Sequence, residues 1–167
     1  VEASKNPKKS VKIPASKDVA GLSRRSKLAK VYLKRDETGK INTLILNQWG
    51  KGLWSTMYGF IALDADLETV AGFGFYDQGE TPGLGGEVDN PKWKALWVGK
   101  KVYAENGAVE LHVIKGTVDP SSPNAVYEVD GLAGATLTSD GVSHLIKFWM
   151  GQNGFEPYLT KLKAAGV

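Results

Sequence analysis

The sequence predicts an α+β domain in which an antiparallel sheet comes first and helices collect late. Two observations carry this expectation. Between residues 30 and 76, apolar alternating segments recur in pairs separated by turn signals. Near the end, Val142, Leu145, Ile146 and Trp149 fall at i, i+3, i+4 and i+7, one helical stripe. No internal repeat is visible.

The elements follow in chain order. Residues 1–20 are rich in Lys, Ser and Pro with little periodicity and are expected to be largely unstructured. Residues 1–27 are read as a basic, mostly flexible arm and residues 28–167 as the domain proper. Lys30–Leu33 and Ile41–Leu46 flank the turn Arg35–Lys40 and read as a hairpin. Met57–Leu63 and Thr69–Tyr76 flank Asp64-Ala65-Asp66 and read as a second antiparallel pair. Asn90 and Pro91 suit the N-cap and first position of a short helix, which would put Trp93 and Trp97 on one face. Lys100–Tyr103 is ambiguous, and Val109–Val118 reads as a further strand. Thr138, Ser139 and Asp140 are N-cap types ahead of the stripe, and Gly151 supplies its stop. A last helix is expected from Pro157 to about Lys163.

Composition narrows the chemistry. A chain of 167 residues with 42% hydrophobic and 23% charged residues suits one globular domain. With no Cys, thiolate catalysis, disulfides, Cys-ligated zinc and iron–sulfur clusters held by this chain are excluded. Two His, His112 and His144, do not make a multi-His metal site. The longest apolar run, Met57–Leu63, is far short of the roughly 20 residues that span a bilayer. The chain opens on Val1 with no signal peptide visible, so residues upstream, a removed membrane anchor among them, are expected to be missing. The overall charge of +3 hides a split: residues 1–35 carry 11 Lys/Arg against Glu2 and Asp18, a net of +9, and the remainder nets −6. A basic arm of this kind is either a solvated tail or a contact for anionic lipid or nucleic acid; with nothing aromatic interleaved in Lys5–Arg25, no nucleic-acid partner is expected.

Three segments could carry chemistry. In Asp130–Ser139, small residues precede hydroxyls and the start of the best helix. Backbone approach at Gly134 and Ala135, hydroxyl donors and helix N–H groups suit a phosphate, although a plain loop and helix cap explain the same residues. Gly79–Gly86 holds four Gly and a Pro in eight residues, with Glu80 and Thr81 offering hydrogen bonds and Leu84 an apolar surface. That mixture suits a flat heteroaromatic ligand or a tight connection between strands. In Trp49–Trp54, two Trp flank two Gly, either to shield a ring system or to form an aromatic corner of the core.

Taken together in order and spacing, WGKGLWSTMYGF (49–60), GETPGLGGEVDNPKW (79–93), WVGKK (97–101) and DGLAGATLTSDGV (130–142) resemble the FMN-binding C subunit of sodium-translocating NADH:quinone oxidoreductases. They are more distantly similar to the G subunit of the Rnf electron-transport complex. The similarity covers about residues 30–164. It implies FMN attached by a phosphoester to the last hydroxyl of the motif, which falls on Thr136. Asp130 stands at the motif's start. Ala133 departs from it, because the family usually has Ser or Thr there, so one hydroxyl is lost.

The resemblance implies a cofactor site of Thr136, Gly134, Ala135, Leu137, Thr138 and Ser139, with Glu80, Thr81, Leu84 and Trp49 around the ring and Trp54 as a further candidate. Thr138 and Ser139 would bind phosphate or cap the helix. An unassisted Thr hydroxyl is a weak nucleophile, so a separate flavin transferase using FAD and a metal ion is implied. The implied role is a relay of single electrons within a membrane complex coupled to sodium export. Its partners would include an iron–sulfur protein and a second flavin subunit. The implied location is the inner membrane, with one N-terminal span and this domain on the periplasmic side. Beside the Rnf-type reading, a module holding a sugar or nucleotide noncovalently is the alternative.

Overall fold

The computed structural model describes residues 2–166. Its centre is a four-stranded antiparallel meander of β3 (Val31–Arg35), β4 (Ile41–Lys51), β5 (Thr56–Asp64) and β6 (Val70–Asp77), in that spatial order. Strand alternation decides its faces. Along β4, Leu44, Leu46, Gln48 and Gly50 are buried, and along β5 Met57, Gly59, Ile61 and Leu63. Leu46 pairs with Ile61 and Ile61 with Phe73, which carries one apolar row across three strands.

The long helix α3 (Thr136–Met150) packs on β4, burying Val142, Leu145, Ile146 and Trp149 as the stripe requires. Two glycines permit the close approach. A Cβ on Gly50 would lie 3.1 Å from the Leu145 Cβ, and one on Gly141 would lie 2.4 Å from the Lys51 carbonyl oxygen. The Trp149 indole N–H donates to the Trp49 carbonyl at 2.7 Å. Helix α4 (Glu156–Ala164) follows, burying Leu159. The short helix α2 (Pro91–Ala95) starts as read: the Asn90 side chain accepts from the Lys92 N–H at 2.9 Å, and Pro91 occupies the first turn. The helix stops short of Trp97, but Trp93 within it and Trp97 in the turn beyond it are both buried, and Trp97 stacks on Phe73 at 3.8 Å between ring centroids.

The α+β class stands, with differences in detail. β4 runs on to Lys51, because Trp49, Gly50 and Lys51 keep pairing with Tyr58, Met57 and Thr56. Within Val109–Val118 only β7 (His112–Val113) is a strand, parallel to β8 (Glu128–Val129). The neighbouring backbone groups are satisfied elsewhere: the Val113 N–H donates to Ser143 Oγ and the Val118 N–H to the Asp130 carboxylate. Alternation there reflects the burial of Leu111 and Val113 rather than a ladder.

The N-terminal residues also differ from the unstructured stretch expected. A helical turn α1 (Glu2–Lys5) precedes β1 (Ser10–Lys12), which pairs with β2 (Arg24–Ser26). Asp18 closes the turn between them by accepting from the N–H groups of Leu22 and Ser23. Ile13 and Ala20 join the core, and the Ala20 carbonyl accepts from the Lys51 N–H at 3.0 Å. Two apolar residues among many polar ones carry no period, so sequence pattern alone does not reveal this docking. Among the described residues no helix is long and apolar enough to cross a membrane.

Candidate functional site

Three loops meet at the N-terminal end of α3. The helix begins at Thr136, two residues before the expected caps, with Ala135 at the N-cap and no side-chain cap. Gly134 precedes it at φ +68°, a conformation that costs glycine little. Its first-turn N–H groups lack partners within the helix and face outward as an anion-binding end. Thr136 and Leu137 are exposed here, whereas Ala135, Thr138 and Ser139 are buried. A cleft of about 380 Å³ opens beside Thr136, walled by Lys115, Gly116, Asp130, Gly134 and Asp140.

The burial of Thr138 and Ser139 follows from specific bonds. The Ser139 hydroxyl accepts from the Leu132 N–H at 3.2 Å, so it braces the loop before the helix. The Thr138 hydroxyl donates to Glu80 at 2.6 Å. Both are committed to protein partners, so neither is the cap the sequence suggested.

Glu80 is the hub of this corner. It is 5% exposed, and its carboxylate accepts five hydrogen bonds. These come from the N–H groups of Leu53, Trp54 and Ser55, at 2.9–3.0 Å, and from the hydroxyls of Ser55 and Thr138. Burial pushes its pKa up. Hydrogen bonds from Thr138 and Ser55 and from the backbone of Trp54 and Ser55 outweigh this and leave it below the ordinary glutamate value.

Glu80 thus ties the 52–55 turn between β4 and β5 to α3. The Gly79–Gly86 loop is folded around the same point. The Thr81 carbonyl accepts from the Leu84 and Gly86 N–H groups, and Gly83 takes φ +75°. A Cβ on Gly85 would lie 2.5 Å from the Thr138 hydroxyl, and one on Gly134 would lie 3.1 Å from Leu84 Cδ2. Leu84 therefore reaches the loop that precedes Thr136.

Leu137, next to Thr136 in the chain, and Leu84, against Gly134, are exposed apolar side chains beside the exposed hydroxyl, and Leu53 and Trp54 are exposed on the tied turn. A helix N-terminus, an exposed hydroxyl and the neighbouring apolar Leu84 and Leu137 fit a phosphoryl group at Thr136 with a flat ring beside it. Trp49, expected beside the ring, lies away from this corner. Its ring lies 4.2 Å from that of Trp149. At about 1.5 Å per residue, Trp149 is about 20 Å along α3 from Thr136. There Trp49 lines a separate cleft of about 680 Å³ with Arg25, Lys27, Lys30 and Tyr76.

Sequence reasoning passed over Leu53, Ser55 and Gly141. The signal for Gly141 was a glycine inside a strong helical stripe, which marks close packing. For the turn it was a Gly-Leu-Trp-Ser run joining two strands.

The family model described as FMN-binding domain matches residues 52–151. The C subunit of the Na(+)-translocating NADH-quinone reductase of Pseudomonas aeruginosa is 57% identical over 163 residues, 98% of this chain and 62% of that protein. Its counterpart from Pasteurella multocida is 50% identical over 163 residues, 98% and 61% of the two. The crystal structure of Shewanella oneidensis NqrC aligns with a TM-score of 0.90 at 37% identity, covering 98% of this chain and 73% of that one. The crystal structure of the corresponding Parabacteroides distasonis protein aligns at a TM-score of 0.63 and 31% identity, covering 90% and 72%. The chain spans about three fifths of the length of the curated relatives it matches.

Proposed function

The chain belongs to the FMN-binding domain family, and from that premise we propose that it is the flavin-bearing domain of the C subunit of a sodium-translocating NADH:quinone reductase. In this reading Thr136 Oγ carries the FMN phosphate as an ester. The observation that supports it most is the selective exposure of Thr136 at the start of α3, beside Gly134 and Leu84 and within a cluster of otherwise buried hydroxyls. When bound, FMN supplies reversible uptake of one or two electrons.

The protein's own contribution is to hold and tune. The first-turn N–H groups of α3 face the phosphate oxygens and stabilise their charge. Gly134 keeps the approach clear. Leu84 and Leu137 present apolar surface to the ring and exclude water from its face. Thr81 shapes the loop that presents Leu84, while Glu80, Thr138 and Ser139 hold the two walls together. A phosphate tether leaves the ring itself unsubstituted, so its potential is set by these surroundings.

A threonine hydroxyl with no His or Cys nearby does not activate itself. A transferase that draws on FAD and a metal ion performs the attachment. The domain then relays electrons from an iron–sulfur partner to a second flavin subunit within the complex. It sits on the periplasmic side of the inner membrane. The net +9 over residues 1–35 turns toward anionic headgroups, at about 1 kcal/mol per basic residue close to the surface.

The intact mass tests the central claim. Co-expressed with the transferase, the chain gains one FMN less one water, and the denatured band stays fluorescent. A fluorescent denatured band from Thr136→Ala would place the ester elsewhere.

A further inference from the structure

We infer that Glu80 is a positioning residue that keeps a fixed negative charge beside the first turn of the helix that bears Thr136 and so sets both the shape of the site and the reduction potential of the flavin carried there. This rests on the assignment of FMN to Thr136 and adds a role that burial denies to direct ring contact.

Three observations converge. Every one of the five partners of the carboxylate is an uncharged donor, so its charge is solvated by the protein but not neutralised by a cation. An ionised carboxylate only accepts, which matches five donors and no acceptor. The backbone is closed around this group: a Cβ on Gly52 would stand 2.6 Å from Glu80 Oε1, and one on Gly85 2.5 Å from the Thr138 hydroxyl. The site is built to hold an anion of this size.

The charge also sits where it matters. Thr138 lies two residues beyond Thr136 in the first turn of α3, so Glu80 and an ester phosphate share the positive end of one helix. Reduction adds negative charge to a flavin, and a buried anion nearby in a low-dielectric corner opposes it. The same carboxylate fixes the turn that displays Leu53 and Trp54.

Shape and charge separate by substitution. Glu80→Gln keeps the volume and lets the amide oxygen accept the three bonds now made to Oε1. The amide NH₂ then faces the Leu53 N–H, so one bond is lost with the charge. Thr138→Val loses a bond and keeps the charge. Glu80→Asp keeps the charge and draws it back by one methylene.

The experiment uses flavin-loaded protein, co-expressed with the transferase, with loading verified by intact mass. Wild-type protein that takes up no FMN would count against Thr136 as acceptor, before Glu80 is tested. Redox titration is then run beside hydrogen exchange of the Leu53, Trp54 and Ser55 amides.

In Glu80→Gln the reduced-to-oxidised ratio at fixed potential rises about tenfold, an upward shift of about 30 mV for a two-electron couple. Leu53 amide exchange quickens in the same variant. In Thr138→Val the amides of the turn exchange faster while the ratio stays within about threefold of wild type. A wild-type potential in Glu80→Gln, or an equal shift in Thr138→Val, overturns the role of the charge. Should Glu80→Gln not fold, Glu80→Asp decides: a ratio within about threefold of wild type supports the charge, and a tenfold change shows that shape alone governs the potential.

Discussion

Replacing Gly141 by alanine sets two effects of opposite sign against each other. Inside a helix, alanine is favoured over glycine by about 1 kcal/mol. On that ground alone the variant should be more stable. The added Cβ, however, would stand 2.4 Å from the Lys51 carbonyl oxygen and 3.1 Å from Gly52 Cα, both backbone atoms that cannot swing aside. Restoring ordinary contact requires α3 to retreat by about 1 Å from the end of β4. Overpacking of this kind costs about 1–3 kcal/mol. The retreat also stretches the 2.6 Å bond from Thr138 to Glu80, a bond to a charged group worth about 1.5–3 kcal/mol. The balance is a net loss of about 1–3 kcal/mol. Urea unfolding followed by circular dichroism measures it, and in a chain of this size the melting temperature falls by roughly 2–4 °C per kcal/mol. A Gly141→Ala protein as stable as wild type, or more so, would show that α3 is not pressed onto Lys51 and that the corner it forms with the 52–55 turn is looser than described.

Other perturbations test other parts of the same structure. Thr136→Ala abolishes covalent flavin while its melting curve stays close to wild type, because the side chain is exposed; intact mass and calorimetry check both halves. Leu84→Ala leaves one FMN per chain but makes the ring more accessible to solvent, seen as a shifted visible absorption band; an unchanged band would remove Leu84 from the ring. Asn90→Ala costs about 1 kcal/mol through the lost cap on Lys92, read from urea midpoints at constant slope. For Glu80, whose folded pKa lies below the ordinary 4.5, the stabilisation is complete above pH 4.5 and is lost as pH falls through the lowered folded value. The stability gap between wild type and Glu80→Gln therefore narrows in acid, and a gap constant from pH 7 down to pH 3 would contradict the sign. Binding to anionic vesicles at low salt falls when Arg25, Lys27 and Lys30 are changed to Glu, and it falls likewise in wild type toward 1 M salt; equal sedimentation of both forms rules out a lipid role for this face.

Most of the framework was legible because it rests on period. The hairpins declared themselves by alternation and turns, α3 by the stripe from Val142 to Trp149, and α2 by Asn90-Pro91. What escaped notice depends on contacts across the chain. Nothing local distinguishes a capping Thr138 from one that bonds Glu80, 58 residues away in sequence. Trp49 and Trp54 look equivalent as a pair flanking two glycines. Trp49 continues a strand and meets Trp149, while Trp54 turns outward on a loop held by Glu80. The segment 1–20 looked featureless because its anchors are single residues, Ile13 and Ala20, rather than a repeating face.

The unequal fates of Thr136, Thr138 and Ser139 bear on the order of events during maturation. In the unfolded chain three hydroxyls lie within four residues, and a modifying enzyme would meet chemically similar alcohols. Once the chain is folded, Thr138 and Ser139 are 1% and 5% exposed and each bonds a protein group, leaving Thr136 the exposed one of the three. If Thr136 carries the ester, the fold itself supplies a discrimination among these alcohols. An attachment made after the sheet, the Gly79–Gly86 loop and α3 have assembled would meet one exposed hydroxyl in this segment, whereas one made earlier would have to select by the residues that flank Thr136.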